Sequence, residues 1–247
     1  MSSGEPFVTY LELRASTPAG EAGAGLSHAS AGLVLLYVLE LAAAGEPRGA
    51  VTVVHEAGEH GGRYLDLARA LAAAGWAVAL PDLRGHGRSE GARGHSNGVK
   101  EILRDLGDVQ DHLAYRQPEA PKVLLGHGVG ALWALAYACE KPGDVAALVL
   151  LAPRLAPKFE LPAKPSGLFK ALKKVAPDAP GRLGFGVAAD PSDALRHDVI
   201  TLRAGEQALE AAAKYVPRLA GLKLPVLQQP QRDDAALVGW LDRTLPR

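Results

Sequence analysis

Cysteine occurs once in these 247 residues, at Cys139. A disulfide within the chain is thereby excluded, and the usage fits a reducing compartment. Excess charge of either sign is also missing, with 27 basic and 27 acidic side chains. No basic field exists to attract nucleic acid, so no nucleic-acid partner is expected. Long apolar runs are absent too. The longest, Ala31 to Ala44, is broken by Glu40 and falls short of the ~20 residues that cross a bilayer. The N-terminus, Met1-Ser2-Ser3-Gly4-Glu5, lacks a basic region followed by an apolar one, which argues against an export signal. A cytoplasmic protein without a transmembrane segment is the expectation. No G-x-G-x-x-G follows a strand, and no histidine and carboxylate set has ligand spacing. Neither a dinucleotide, nor a metal, nor any other cofactor is expected.

What is present reads as an α/β chain. Hydrophobic residues make up 48% and charged residues 22%, ordinary for a globular protein. The length suits one large α/β domain or two small ones. Strands are expected at Phe7 to Leu13, Leu33 to Leu41, Ala50 to Val54, Trp76 to Leu80, Val123 to Gly126, Ala146 to Leu151 and Leu224 to Leu227, the first two as hairpin partners. Helical spacing runs from about Arg63 to Ala74, closed by Gly75, and from Lys100 to Tyr115. A further helix extends to about Glu140, and a terminal one spans Ala235 to Leu245. Residues 15–30, rich in Gly, Ala and Ser, read as a loop. Strands alternating with helices at this rhythm imply a mostly parallel sheet covered on both faces. From about 154 to 222 the rhythm breaks into Pro-rich chain with short helical pieces, Leu168 to Val175 and Glu206 to Leu219. This stretch reads as a cap inserted into a single domain spanning 1–247.

The run Val123-Leu124-Leu125-Gly126-His127-Gly128-Val129-Gly130-Ala131 passes from strand through a glycine corner into a helix. That is the context of a nucleophile elbow, G-x-S-x-G, but Gly128 stands where the serine belongs. Two further blocks accompany it. One is His55-Glu56-Ala57-Gly58-Glu59-His60 with Arg63 and Tyr64; the other is Asp82-Leu83-Arg84-Gly85-His86-Gly87-Arg88-Ser89-Glu90-Gly91 with Arg93, Gly94 and His95. In this order the three blocks resemble the α/β-hydrolases, in their monoacylglycerol lipase and lysophospholipase branch. The likeness extends from about Leu33 to Leu227.

The resemblance implies an ester hydrolase working through serine, a carboxylate and histidine, in that chain order. Each role can be looked for in turn. Gly128 has no side chain with which to form an acyl-enzyme. Laid on the late strand, the family pattern puts the acid at Asp234 and puts Pro230 where a histidine usually stands. The base belongs on a loop after one more strand. Only 13 residues follow Asp234, none of them histidine, so the C-terminal end reads as shortened. The last histidine is His197. The oxyanion hole, formed by backbone N–H groups, falls by the same resemblance to Ala57 and Val129. Glu56 replaces a family glycine beside it, and three fates stay open for that carboxylate: repelling an oxyanion, accepting hydrogen bonds from a ligand, or facing solvent. His55, Glu56 and His127 are the pocket candidates, the histidines more as hydrogen-bonders than as bases. His86 and His95 read as structural, with Arg84, Arg88 and Arg93 capping helices or pairing with acids. Cys139 reads as a core thiol. In the cap, Leu155, Phe159, Leu161, Leu168, Phe169 and Leu172 interleave with Lys158, Lys164, Lys170, Lys173 and Lys174, either a lipid- or acid-facing surface or a solvated one.

The expectation is therefore a non-catalytic relative that binds an apolar small molecule, such as an acyl ligand, or a partner protein. A weak ester hydrolase with displaced groups is one alternative. A structural or assembly subunit, forming homo-oligomers through an exposed sheet edge, is another.

Overall fold

A computed structural model describes residues 5–14, 33–161, 179–184 and 190–246. The expected loop at 15–30, the helical piece Leu168 to Val175 and the cap residues Lys164, Leu168, Phe169, Lys170, Leu172, Lys173 and Lys174 lie outside them. Seven strands form the central sheet, in the order β1-β2-β4-β3-β5-β6-β9. The strands are β1 (Pro6–Arg14), β2 (Leu33–Leu41), β3 (Gly49–Val54), β4 (Trp76–Pro81), β5 (Lys122–His127), β6 (Ala147–Leu151) and β9 (Val226–Gln229). β1 pairs antiparallel with β2 over its whole length, and β2 with β4. The four remaining pairings are parallel. Strands buried on both faces need continuous apolar sequence, and β3, β4 and β6 are buried at every residue.

Helices cover both faces. On one side lie α2 (Val99–Arg116), α3 (Gly130–Glu140) and α4 (Leu202–Tyr215), packed through Leu106, Leu132, Leu135 and Tyr215. On the other lie α1 (Leu65–Ala73) and α5 (Asp234–Thr244), packed through Leu67, Leu71, Leu237 and Leu241. Helix α3 is buried from Gly130 to Cys139, as expected of a helix apolar all round. Gly75 adopts φ +92° after α1 and donates its N–H to Ala72 O, the C-terminal glycine cap that the sequence suggests. A small antiparallel pair, β7 (Pro180–Arg182) and β8 (Val199–Thr201), forms a second sheet in the segment between β6 and β9. Among the described residues no helix is long and apolar enough to cross a membrane.

Among the expected boundaries that shift, two have a local cause. The late strand runs Val226–Gln229 rather than Leu224 to Leu227, because Leu224 packs against the α3 side of the core and Pro225 has no N–H to give the ladder. The late helix starts at Leu202 rather than Glu206, because Thr201 Oγ1 caps it by accepting from Ala204 N.

Candidate functional site

The elbow forms where β5 meets α3, with Gly128 at φ +58°. Gly128 donates its N–H to Leu151 O at 3.1 Å, and its carbonyl accepts from Arg154 N at 2.9 Å. The chain leaving β6 is thus clamped across the turn. A Cβ at Gly126 would lie 2.4 Å from Gly130 O, and one at Gly130 would lie 2.3 Å from Val54 O. The glycine frame therefore records backbone packed on backbone.

Glu56 fills the centre of the site. The residue is 3% exposed, which removes the solvent-facing possibility. Oε1 accepts from Ala57 N at 2.8 Å and from Val129 N at 2.7 Å. These are the two amides that the resemblance assigns to the oxyanion hole. Oε2 accepts from Arg154 Nε at 2.8 Å, and a Cβ placed on Gly128 would lie 1.7 Å from that oxygen. One carboxylate thus occupies both amides and the space beside Gly128 that a side chain there would need. Burial pushes the Glu56 carboxyl up, against the downward pull of the Val129 amide and the Arg154 guanidinium. Arg154 was not among the expected site residues. No local pattern marks it, since it meets Glu56 only because β6 and β3 end at the same edge of the sheet.

The histidine candidates divide. His55 is fully buried, with Nε2 accepting from Leu83 N and Nδ1 donating to Glu56 O. A ring that both accepts from an amide and donates to a carbonyl is neutral, and burial lowers its basicity. His127 Nδ1 sits 2.8 Å from the Tyr64 hydroxyl, which donates to Glu59 and accepts from Glu56 N. Burial lowers its basicity as well. Neither ring lines the neighbouring cavity. The cavity wall instead includes His86 and His95, which the sequence reading treated as purely structural. His95 Nδ1 lies 3.1 Å from Thr201 Oγ1, but that hydroxyl is the N-cap of α4. Asp234 opens α5 with its carboxylate held by Arg232 through two contacts of 2.6 Å.

Arg84 pairs with acids, as the sequence suggests. It meets Asp105 through Nε and Nη2 and Glu101 through Nη1, at 2.5 to 2.6 Å. Burial raises the Asp105 carboxyl to about 6 despite that partner. His55, His86 and His197 stack in sequence, with ring centroids 5.1 and 4.7 Å apart. Burial and the neighbouring rings hold His86 well below the usual imidazole range. Burial, then Arg93, brings His197 down to about 4. An imidazole whose folded-state pKa is depressed binds fewer protons folded than unfolded, so its contribution to stability disappears as pH falls from about 6.5 to about 4. Asp105, raised, acts in the opposite sense between its unfolded value and about 6. His197→Gln keeps a donor at the position of Nε2, which faces Gly85 O, without titrating. It is expected to remove about 1–3 kcal/mol of the acid-induced loss, after discounting for the exposed part of the ring. Chemical denaturation at pH 7 and pH 4.5 measures this, and equal losses in variant and parent would refute it.

The cavity has a volume of about 50 Å³ and is lined mostly by apolar residues, among them Ala57, Val129, Trp133, Phe159 and Ala208, with Asp105 and the two histidines also on its wall. Among the described residues no group of three or more His, Cys, Asp or Glu is placed to hold a metal.

The family described as "Serine aminopeptidase, S33" matches residues 45–234. A monoacylglycerol lipase of Mycolicibacterium smegmatis is 33% identical over 192 residues, covering 74% of this chain and 69% of that protein. A human monoglyceride lipase is 39% identical over 109 residues, covering 44% of this chain and 36% of its own. Among solved structures, the Paleococcus ferrophilus monoacylglycerol lipase superposes with a TM-score of 0.65 at 26% identity, covering 85% of this chain and 84% of that one.

Proposed function

The chain belongs to the serine aminopeptidase S33 family of α/β-hydrolases, and from that membership we propose that it is a non-catalytic member that binds a small apolar molecule beneath its cap. One observation carries the reading: the Glu56 carboxylate sits on both amides of the proposed oxyanion hole and against Gly128. Acyl transfer needs a nucleophile, a base and donors free to receive a developing negative charge. Here glycine supplies no nucleophile. The donors already hold a carboxylate, and a second anion beside it would be repelled.

The relatives' names point to acylglycerols as the chemical class from which a ligand would come, bound here without turnover. The single buried cysteine suits a reducing, cytoplasmic setting. Hydrolysis of p-nitrophenyl butyrate is expected to match that of heat-denatured protein. A saturable rate that disappears on heating would overturn the reading.

A further inference from the structure

The two edges of the central sheet are built differently. β9 has four residues between Pro225 and Pro230, short and proline-bounded in the way that keeps an edge from pairing. β1 has nine, all in register with β2 and without a bulge, and it holds no lysine and no proline after Pro6. The direction of its outer backbone follows from its neighbour. Leu35 and Tyr37 turn away from β1, since Leu35 N–H and C=O bond to Glu90, while Tyr37 N–H donates to Ser89 Oγ and its C=O accepts from Asp82 N. Directions alternate along an antiparallel strand, so Leu36 and Val38 face β1 and bond to their partners Leu11 and Thr9. Val8, Tyr10 and Glu12 therefore turn their N–H and C=O groups outward, where no described strand pairs with them. The side chains there extend the core. Val8 and Tyr10 lie opposite Leu39 and Tyr37, which are buried in the core packed on α1, yet they are themselves 46% and 59% exposed. Tyr10 already stands edge-on to Tyr37, with ring centroids 5.7 Å apart. An apolar sheet surface thus runs past its helical cover to an unguarded edge.

We infer that β1 pairs antiparallel with β1 of a second copy about a two-fold axis at Thr9, joining the two sheets into one. The strand is complementary to itself in that register. Val8 meets Tyr10 of the second copy, twice over, Phe7 meets Leu11, and Thr9 meets Thr9. Aromatic, β-branched and Thr–Thr pairs are those that stabilise an antiparallel ladder. The outward N–H and C=O groups of Val8 and Tyr10 bond to each other, and Glu12 N–H reaches the Pro6 carbonyl. Glu12 lies three positions from the axis, so the two carboxylates end about 20 Å apart, beyond the screening length of physiological salt. A two-fold pairing consumes the edge that forms it, so association stops at two. β2 and β4 separate this edge from β3 and Glu56, and the pairing stands whether or not esters are turned over.

Sedimentation velocity of the full chain tests this. The protein is expected to run at twice the monomer mass at about 100 μM and to dissociate on dilution. Tyr10→Lys removes both Tyr–Val pairs and raises the dimer Kd about ten- to thirty-fold. Tyr115→Lys, at an exposed side chain on α2, leaves it unchanged. Val8→Pro takes away an N–H that faces outward, so it keeps the β1–β2 ladder and abolishes the dimer. Should Val8→Pro not fold, disulfide trapping reads the same register. Thr9→Cys cross-links to its own copy on oxidation, because the two Cβ atoms lie directly opposite. Tyr10→Cys does not, since its counterpart sits on the diagonal about 7–8 Å away. Cys139 is buried, and the parent is the control for it. A monomer at about 100 μM, a dimer indifferent to Tyr10→Lys, or cross-linking at Tyr10→Cys and not at Thr9→Cys overturns the assignment.

Discussion

A serine introduced at position 128 is expected to leave the protein without esterase activity and to cost it about 2–4 kcal/mol of stability. The cost has two sources. Gly128 holds φ +58°, where a side chain is strained by about 1–2 kcal/mol. The new Cβ would also lie 1.7 Å from Glu56 Oε2, so Glu56 must leave the two amides and Arg154. Pairing Gly128→Ser with Glu56→Gly removes the second source, and the double variant should regain part of the lost stability. Both should stay inactive on p-nitrophenyl butyrate, because the imidazoles around the elbow are committed elsewhere. His55 is saturated at both nitrogens, and His127 Nδ1 is held at Tyr64. Denaturant titration and the ester assay check the two halves separately. A Gly128→Ser protein as stable as the parent would show that Glu56 does not occupy the turn. Robust turnover by the double variant would show that a base is in reach.

Arg84→Met is expected to cost about 3–5 kcal/mol, since removing one partner strands a buried charge. Arg84 is 7% exposed, Asp105 1% and Glu101 3%, and one guanidinium joins the loop after β4 to two successive turns of α2. Glu101 keeps Asn97 N as a donor at 2.7 Å, whereas Asp105 would be left without its bidentate partner. Arg84→Met combined with Asp105→Leu should therefore be less destabilising than Arg84→Met alone, because an apolar pair replaces an unpaired carboxylate. Denaturant unfolding of the two variants decides the point. A single variant within about 1 kcal/mol of the parent would be too small an effect for a stranded buried charge and would refute this account.

The elements of this fold are legible in the chain because their causes are local. The apolar run Ala147–Leu151, and Gly49–Val54 with only Thr52 interrupting it, specify strands covered on both faces. Residues in β1 alternate between exposed and partly buried, β2 is apolar almost throughout, and the two pair in full register. The spacing of Gly126 and Gly130 survives because a side chain at either would strike backbone. Local causes also mislead. Helical spacing is expected from Glu206, yet Gly205 already lies inside α4, where a Cβ would come within 2.6 Å of Leu161 Cδ2. The helix starts four residues before the expected position because the Thr201 side chain caps it.

By sequence alone, then, the chain order of the central-sheet strands, the glycine elbow and the vacancy at its centre were determined, each by periodicity or by the stereochemistry of a few adjacent residues, whereas the β7–β8 pair was not. Only the tertiary structure decided what fills that vacancy. Glu56 and Arg154 stand 98 positions apart, and nothing near either one announces the other. They meet because parallel strands bring their carboxyl ends to one edge of the sheet, and a buried carboxylate stays where backbone N–H groups and a guanidinium satisfy it.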